Sequence, residues 1–177
     1  MKNRTSFRKT KNIATAGIMS ALCFVLMYLS SLTEVLDLCA MVACSVLIII
    51  CVIETGKIYP WLIWAVTGIL CMLFIPKKDI ALEFVMFGGI YPMIKSYAEK
   101  LPLVFAWIAK LVFFNAAFTA WFFIATSLFT PDVGLKLGPV AYAVANVFFI
   151  VADVAFTLTV SLYMAKIRPR IAKGQKK

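Results

Sequence analysis

The sequence predicts an all-α integral membrane protein, a compact bundle of six transmembrane helices forming a single domain over residues 1–177. Of the residues, 63% are hydrophobic and 15% are charged, and the mean hydropathy is +0.96. These values lie far outside the range of a soluble globular domain. A helical span takes about 20 apolar residues. Short connections separate six apolar segments, at residues 13–32, 36–53, 58–75, 80–94, 103–129 and 138–165.

The basic residues predict the orientation of this bundle in a cell membrane. A basic tail precedes the bundle at residues 1–11, another follows it at 167–177, and the bundle itself covers 12–166. With both termini cytoplasmic, the outer loops carry only Lys77, Lys78 and Lys136 as basic residues. Cytoplasmic loops are enriched in lysine and arginine, so we expect a multi-pass plasma-membrane protein with both ends inside.

Small residues recur at helical spacing in the first segment. Ala14, Gly17 and Ala21 share one face, and Ala16 with Ser20 forms a small pair on a neighbouring face. Small residues allow another helix to approach closely. These faces predict either docking of a partner protein in the same membrane or contacts within the bundle.

The fourth segment differs from the others between residues 79 and 97. It combines Glu83 near its start, Gly88 and Gly89 at its middle, and Pro92 towards its end. We expect a helix whose backbone is loosened at mid-depth, with a carboxylate near its outer end. Such a helix suits a ligand cavity, but the glycines also suit close helix contacts, and both interpretations stay open.

Polar residues form matching stripes on the last two segments. Tyr142, Asn146, Asp153 and Thr157 lie on one face of the sixth segment, and Asn115, Thr119 and Thr126 follow the same spacing on the fifth. In an antiparallel hairpin Asn115 faces Asp153. Asn115 then holds a protonated Asp153, a contact that could serve helix packing alone. Lys110 either pairs with Asp153 or extends to the inner membrane interface. We predict a ligand site in the outer half formed by Glu83, Asn115, Thr119, Trp121, Tyr142, Asn146 and Asp153.

Several activities lack the residues they need. The chain has no histidine and no Gly-x-x-x-x-Gly-Lys-Ser/Thr loop, so we expect neither ATP binding by the usual loop nor histidine-dependent hydrolysis. Its five cysteines form no Cys-x-x-Cys pair and fall in apolar segments. We predict that they are small core residues, that the protein is not an enzyme, and that it uses no metal or cofactor.

Taken over its whole length, the chain resembles the substrate-binding S component of energy-coupling factor (ECF) vitamin transporters. The resemblance lies in the six helices, the cytoplasmic ends, the basic tail and the small residues of the first helix. In that family an Ala-x-x-x-Ala pair docks the coupling subunit, and the matching positions are Gly17 with Ala21 or Ala16 with Ser20. The resemblance implies uptake of a vitamin or related micronutrient in a bacterium, powered by a transmembrane coupling subunit and two ATPase subunits.

Two other functions are also compatible with the sequence. One is a small structural scaffold like the cell-shape protein MreD, which needs the small faces but no polar pocket. The other is a stand-alone carrier that transports without further subunits. The outer half carries Glu83, Glu34 and Asp37 and no arginine. If the chain binds a ligand, complementary charge therefore favours a cationic or neutral molecule.

Overall fold

The structure is a computed structural model that describes residues 2–33, 36–128 and 138–169. Helices dominate these ranges. The helices are α1 (Lys2–Ser31), α2 (Asp37–Thr55), α3 (Tyr59–Phe74), α4 (Lys78–Glu83), α5 (Tyr91–Ala98), α6 (Leu103–Leu128) and α7 (Pro139–Leu162). Two π-helical turns, Phe84–Gly88 and Tyr163–Ile167, follow α4 and α7. No strand occurs in these described ranges, and the all-α fold class is confirmed.

The chain divides into two compact units, Met1–Leu137 and Gly138–Lys177. Within the described residues, the first unit holds α1 to α6 and the second holds α7 with its π-helical turn.

Four of the helical stretches are long and apolar enough to cross a membrane. They are Lys9–Ser31, Asp37–Thr55, Leu103–Ser127 and Pro139–Lys166. The third predicted segment forms α3, which is apolar but shorter. The fourth is not one continuous helix, because α4, a π-helical turn and α5 follow one another there. Membrane insertion of the chain follows from these helices, whereas the count of six spans stays a prediction.

Prolines and a lysine define several helix ends. Pro60, Pro92 and Pro139 each lie in the first turn of a helix, where the missing N–H costs no hydrogen bond. At the end of α3, Lys78 Nζ donates to the carbonyl oxygens of Met72 at 2.6 Å and Ile75 at 2.8 Å. A cation there satisfies carbonyls that the helix leaves open and complements the negative end of its dipole.

The core of the first unit lies where α1, α2 and α3 meet. Cys23, Cys44, Cys51 and Cys71 are all buried there, and the Cys44 thiol donates to the Cys23 carbonyl oxygen at 3.5 Å. Free cysteine behaves as a small hydrophobic residue in such a position. The prediction of core cysteines is therefore confirmed for these four. It is wrong for Cys39, which is exposed in the first turn of α2.

Candidate functional site

The loosened backbone predicted in the fourth segment is present as the π-helical turn. Gly89 N donates to Phe84 O at 2.8 Å, a bond across five residues instead of four. Two neighbouring helices bind the carbonyls of this turn. Ser45 Oγ on α2 lies 2.8 Å from Gly88 O, and Trp64 Nε1 on α3 donates to Val85 O at 3.0 Å. The turn is thus fixed by hydrogen bonds to α2 and α3.

The two glycines of this segment allow neighbouring side chains to come very close. A Cβ at Gly88 would lie 2.6 Å from Met41 Cγ, and one at Gly89 would collide with Trp64 Cδ1. Real Cβ atoms do not tolerate such separations. Of the two interpretations of these glycines, the structure directly supports close helix contacts.

The Glu83 carboxyl group is influenced by two other acids, Asp37 in the first turn of α2 and Asp79 in the first turn of α4. Glu83 itself is partly buried at the end of α4. Like charges held together outside bulk water repel strongly. Lys78 is nearby in sequence, but its ammonium is bound to the end of α3. This end of the first unit therefore favours a cation or a hydrogen-bond donor. Glu34 lies outside the described residues.

An aromatic column on α6 reaches the first turn of α4. Phe114 stacks on Phe118 at 6.0 Å between ring centres, and Phe118 stacks on Trp121 at 6.2 Å. Trp121 Nε1 also approaches the Asp79 carbonyl oxygen at 3.4 Å. The structure therefore places Trp121, a residue of the predicted ligand site, against the first turn of α4. Aromatic faces attract cations as well as other rings.

The polar residues of α6 bond to their own helix. Asn115 Nδ2 donates to Leu111 O at 2.8 Å, and Thr119 Oγ1 donates to Asn115 O at 2.7 Å. Both side chains are partly buried. Each bond uses one side-chain donor. Serine, threonine and asparagine in helices commonly bond back in this way to the carbonyl four residues earlier. Lys110 on the same helix is buried, with its ammonium 5.3 Å from the centre of the Trp107 ring.

The predicted stripe of α7 follows the same pattern within its own unit. Asn146 Nδ2 donates to Tyr142 O at 2.8 Å, and Thr157 Oγ1 donates to Asp153 O at 2.9 Å. Asp153 is 2% exposed. A nearly inaccessible carboxyl in a membrane helix is costly unless it is neutral, paired or hydrated. Contact between Asn115 and Asp153, and between Lys110 and Asp153, stays a prediction.

The two small faces of α1 have different surroundings. Ala16 is fully buried and Ser20 nearly so. The Thr67 hydroxyl of α3 donates to the Ser20 carbonyl oxygen at 3.3 Å. The pair Ala16 and Ser20 therefore packs inside the first unit. Ala14, Gly17 and Ala21 are exposed, and a Cβ added at Gly17 would meet no atom within 4 Å.

Some contacts near these sites carried little sequence signal. Ser45 stood out only as a polar residue in an apolar segment, and nothing in the sequence linked it to Gly88. Nothing in the sequence indicated that Lys57, in the α2–α3 turn, would lie over the Tyr97 ring of α5. Among the described residues, no group of three histidine, cysteine, aspartate or glutamate side chains could hold a metal ion.

Comparison with known proteins identifies no relative. No family model matches the chain, and neither a curated protein nor a solved structure matches it closely enough to support an argument from similarity.

Proposed function

We propose that the chain is the substrate-binding membrane subunit of an ECF-type transporter. It would bind a vitamin or related small micronutrient, and a transmembrane coupling subunit with two ATPase subunits would power uptake. We place it in a bacterial plasma membrane with both termini cytoplasmic, because lysine and arginine are concentrated in the tails and inner turns.

The observation that best supports ligand binding is the position of Glu83. Keeping a partly buried carboxylate ionised in an apolar segment is costly, and repulsion from the charges of Asp37 and Asp79 adds to that cost. A ligand that brings positive charge or hydrogen-bond donors would offset it. Beside these acids, Trp121 and Phe118 offer stacked ring faces. Apolar pockets with a few polar groups of this kind are typical of small-molecule sites.

The proposed contact with a coupling subunit rests on α1. Its exposed face carries Ala14, Gly17 and Ala21, and a second helix can approach closely there because no side chain projects far. The neighbouring pair Ala16 and Ser20 is already used within the first unit. Of the two pairs that match the docking motif, Gly17 with Ala21 is therefore the one we propose.

A structural scaffold remains the second candidate, and one observation favours it. Val85 and Gly88 carbonyls in the π-helical turn are bound by Trp64 and Ser45, so the loosened backbone already serves helix packing. A scaffold predicts no response to any small molecule. A measurement of ligand binding therefore distinguishes the two functions.

Replacing Glu83 by glutamine is expected to weaken binding of the molecule that co-purifies with the protein. Loss of a charged hydrogen bond costs about 1.5–3 kcal/mol, which corresponds to about 10- to 150-fold in Kd. Isothermal titration of the ligand-depleted protein measures this change. The melting temperature of the ligand-free protein should stay the same or rise, because a repelled charge is removed.

The matched control for this experiment is Glu54→Gln. Glu54 is exposed in the last turn of α2, and the same change from carboxylate to amide there should leave binding unchanged. Normal binding by Glu83→Gln, or equal losses in both variants, would remove Glu83 from the site.

A further inference from the structure

Lys57 lies in the turn between α2 and α3 and is anchored to the end of α5. Its ammonium donates to the Ser96 carbonyl oxygen at 3.2 Å and lies 3.5 Å from the centre of the Tyr97 ring. Both partners belong to the last turn of α5, where the helix dipole is negative and the carbonyls lack helical partners. The position of this cation is therefore set by three kinds of contact: a hydrogen bond, an aromatic face and a helix end.

A second basic residue, Lys100, follows the same helix end: its backbone N–H donates to the Tyr97 carbonyl oxygen at 3.2 Å. Partial burial and the charge of nearby Lys100 lower the pKa of Lys57 from its ordinary value. Glu99, adjacent to Lys100 in the chain, forms an ion pair with the buried Lys95 at 2.9 Å. Two ammonium groups held near each other repel, and an anion that contacts both would offset that repulsion. Phosphate esters bind lysine ammonium groups well.

The surroundings of these lysines match the headgroup level of a membrane. Ile58 is 80% exposed, and the amphipathic rings of Trp61 and Tyr97 are 41% and 49% exposed. Tryptophan and tyrosine are enriched at this depth because one part of the ring is apolar and another is polar. The lysines lie on the face predicted to be cytoplasmic.

An apolar groove continues from this level along α3. It has a volume of about 460 Å³ and is lined by α3 residues between 64 and 73 and by Val85 of the π-helical turn. At 1.5 Å per residue the lined part of α3 is about 14 Å long. Trp61, in the first turn of α3, contacts Trp64 edge to face at 5.7 Å, and Trp64 lines the groove.

We propose that the α2–α3 turn binds an anionic phospholipid, with its headgroup phosphate between Lys57 and Lys100 and one acyl chain in the groove beside Trp64. The groove alone would accept the chain of any lipid. The two lysines select the anionic headgroup, since each basic residue near a membrane surface strengthens attraction to anionic lipid. This proposal is independent of the transport function.

Native mass spectrometry of the full-length protein tests the proposal. The protein, purified in a non-ionic detergent, is mixed with equal amounts of phosphatidylglycerol and phosphatidylcholine that carry the same chains. We expect phosphatidylglycerol to be retained preferentially. Lys57→Gln and Lys100→Gln should each reduce that preference about fivefold, and the double variant about 25-fold, because each basic residue near the surface adds attraction to anionic lipid.

The control variant is Lys11→Gln, which removes an exposed basic residue of α1 and should leave the preference unchanged. Ile69→Trp should lower retention of both lipids, because Ile69 is exposed and lines the groove. Since Lys57 also anchors the turn, Lys100→Gln keeps the test valid if Lys57→Gln fails to fold. Equal retention of the two lipids, an equal loss in Lys11→Gln, or displacement by an equimolar amount of inorganic phosphate would overturn the proposal.

Discussion

Gly17→Trp is expected to abolish co-purification of the chain with a coupling subunit while leaving ligand binding intact. Gly17 lies on the exposed face of α1, and a Cβ there meets no atom within 4 Å. An indole added at this point would fill the space that a docked helix needs without disturbing the first unit. Affinity purification of the co-expressed complex measures the loss.

Two further variants on α1 make this result specific. Leu29→Trp changes an exposed position about 18 Å further along the helix and should leave the complex intact. Ala16→Trp should prevent folding, because Ala16 is completely buried and a large side chain cannot be accommodated there. Normal assembly of Gly17→Trp would exclude this face as the docking surface, and unfolding of Gly17→Trp would show that the face is internal.

Gly89→Ala is expected to destabilise the protein, whereas Gly17→Ala leaves its stability unchanged or raises it. The new methyl at Gly89 collides with the Trp64 ring and comes within 3.3 Å of Phe84. The Trp64 ring cannot withdraw freely, since Nε1 bonds to Val85 O and the ring contacts Trp61. Overpacking costs about 1–3 kcal/mol, with about 1 kcal/mol more if the Trp64 hydrogen bond is lost.

Thermal unfolding in one detergent compares the two variants. For a chain of this size about 1 kcal/mol corresponds to about 2–4 °C, so Gly89→Ala should melt several degrees lower. At Gly17 the methyl enters open space, and alanine favours a helix over glycine by about 1 kcal/mol. If both variants melted at the same temperature, the close contact between α3 and the π-helical turn would not be present in solution.

Local sequence features predicted the long helices and the interrupted fourth segment. Apolar runs of about 20 residues define helices in a membrane protein, and the adjacent Gly88 and Gly89 indicated a loosened backbone. Their partners could not be predicted, because Ser45 and Trp64 lie far from them in the chain and reach them only through tertiary packing. The exposure of Cys39 also could not be predicted, because an apolar segment does not specify which of its residues face outwards.

The candidate sites were predictable to different degrees. Small-residue spacing identified both faces of α1, but the choice of Ala16 and Ser20 as the buried pair depends on where α3 packs. Glu83 and Trp121 were identified as a carboxylate and an aromatic surface in apolar segments. The sequence could not predict that Asp79 would contact Trp121 and also influence Glu83, because α4 and α6 come together only in the folded protein.

The most direct test of the proposed function is mass spectrometry of the small molecules that co-purify with the detergent-solubilised protein, followed by adding back the enriched molecule. We expect one small micronutrient, cationic or rich in hydrogen-bonding groups, to be enriched over an unrelated membrane protein prepared in parallel. At 100 times its Kd it should stabilise the fold by about 2.7 kcal/mol, which raises the melting temperature. No enriched molecule, and no stabilisation by any vitamin tested, would contradict the assignment as a substrate-binding subunit and favour the scaffold.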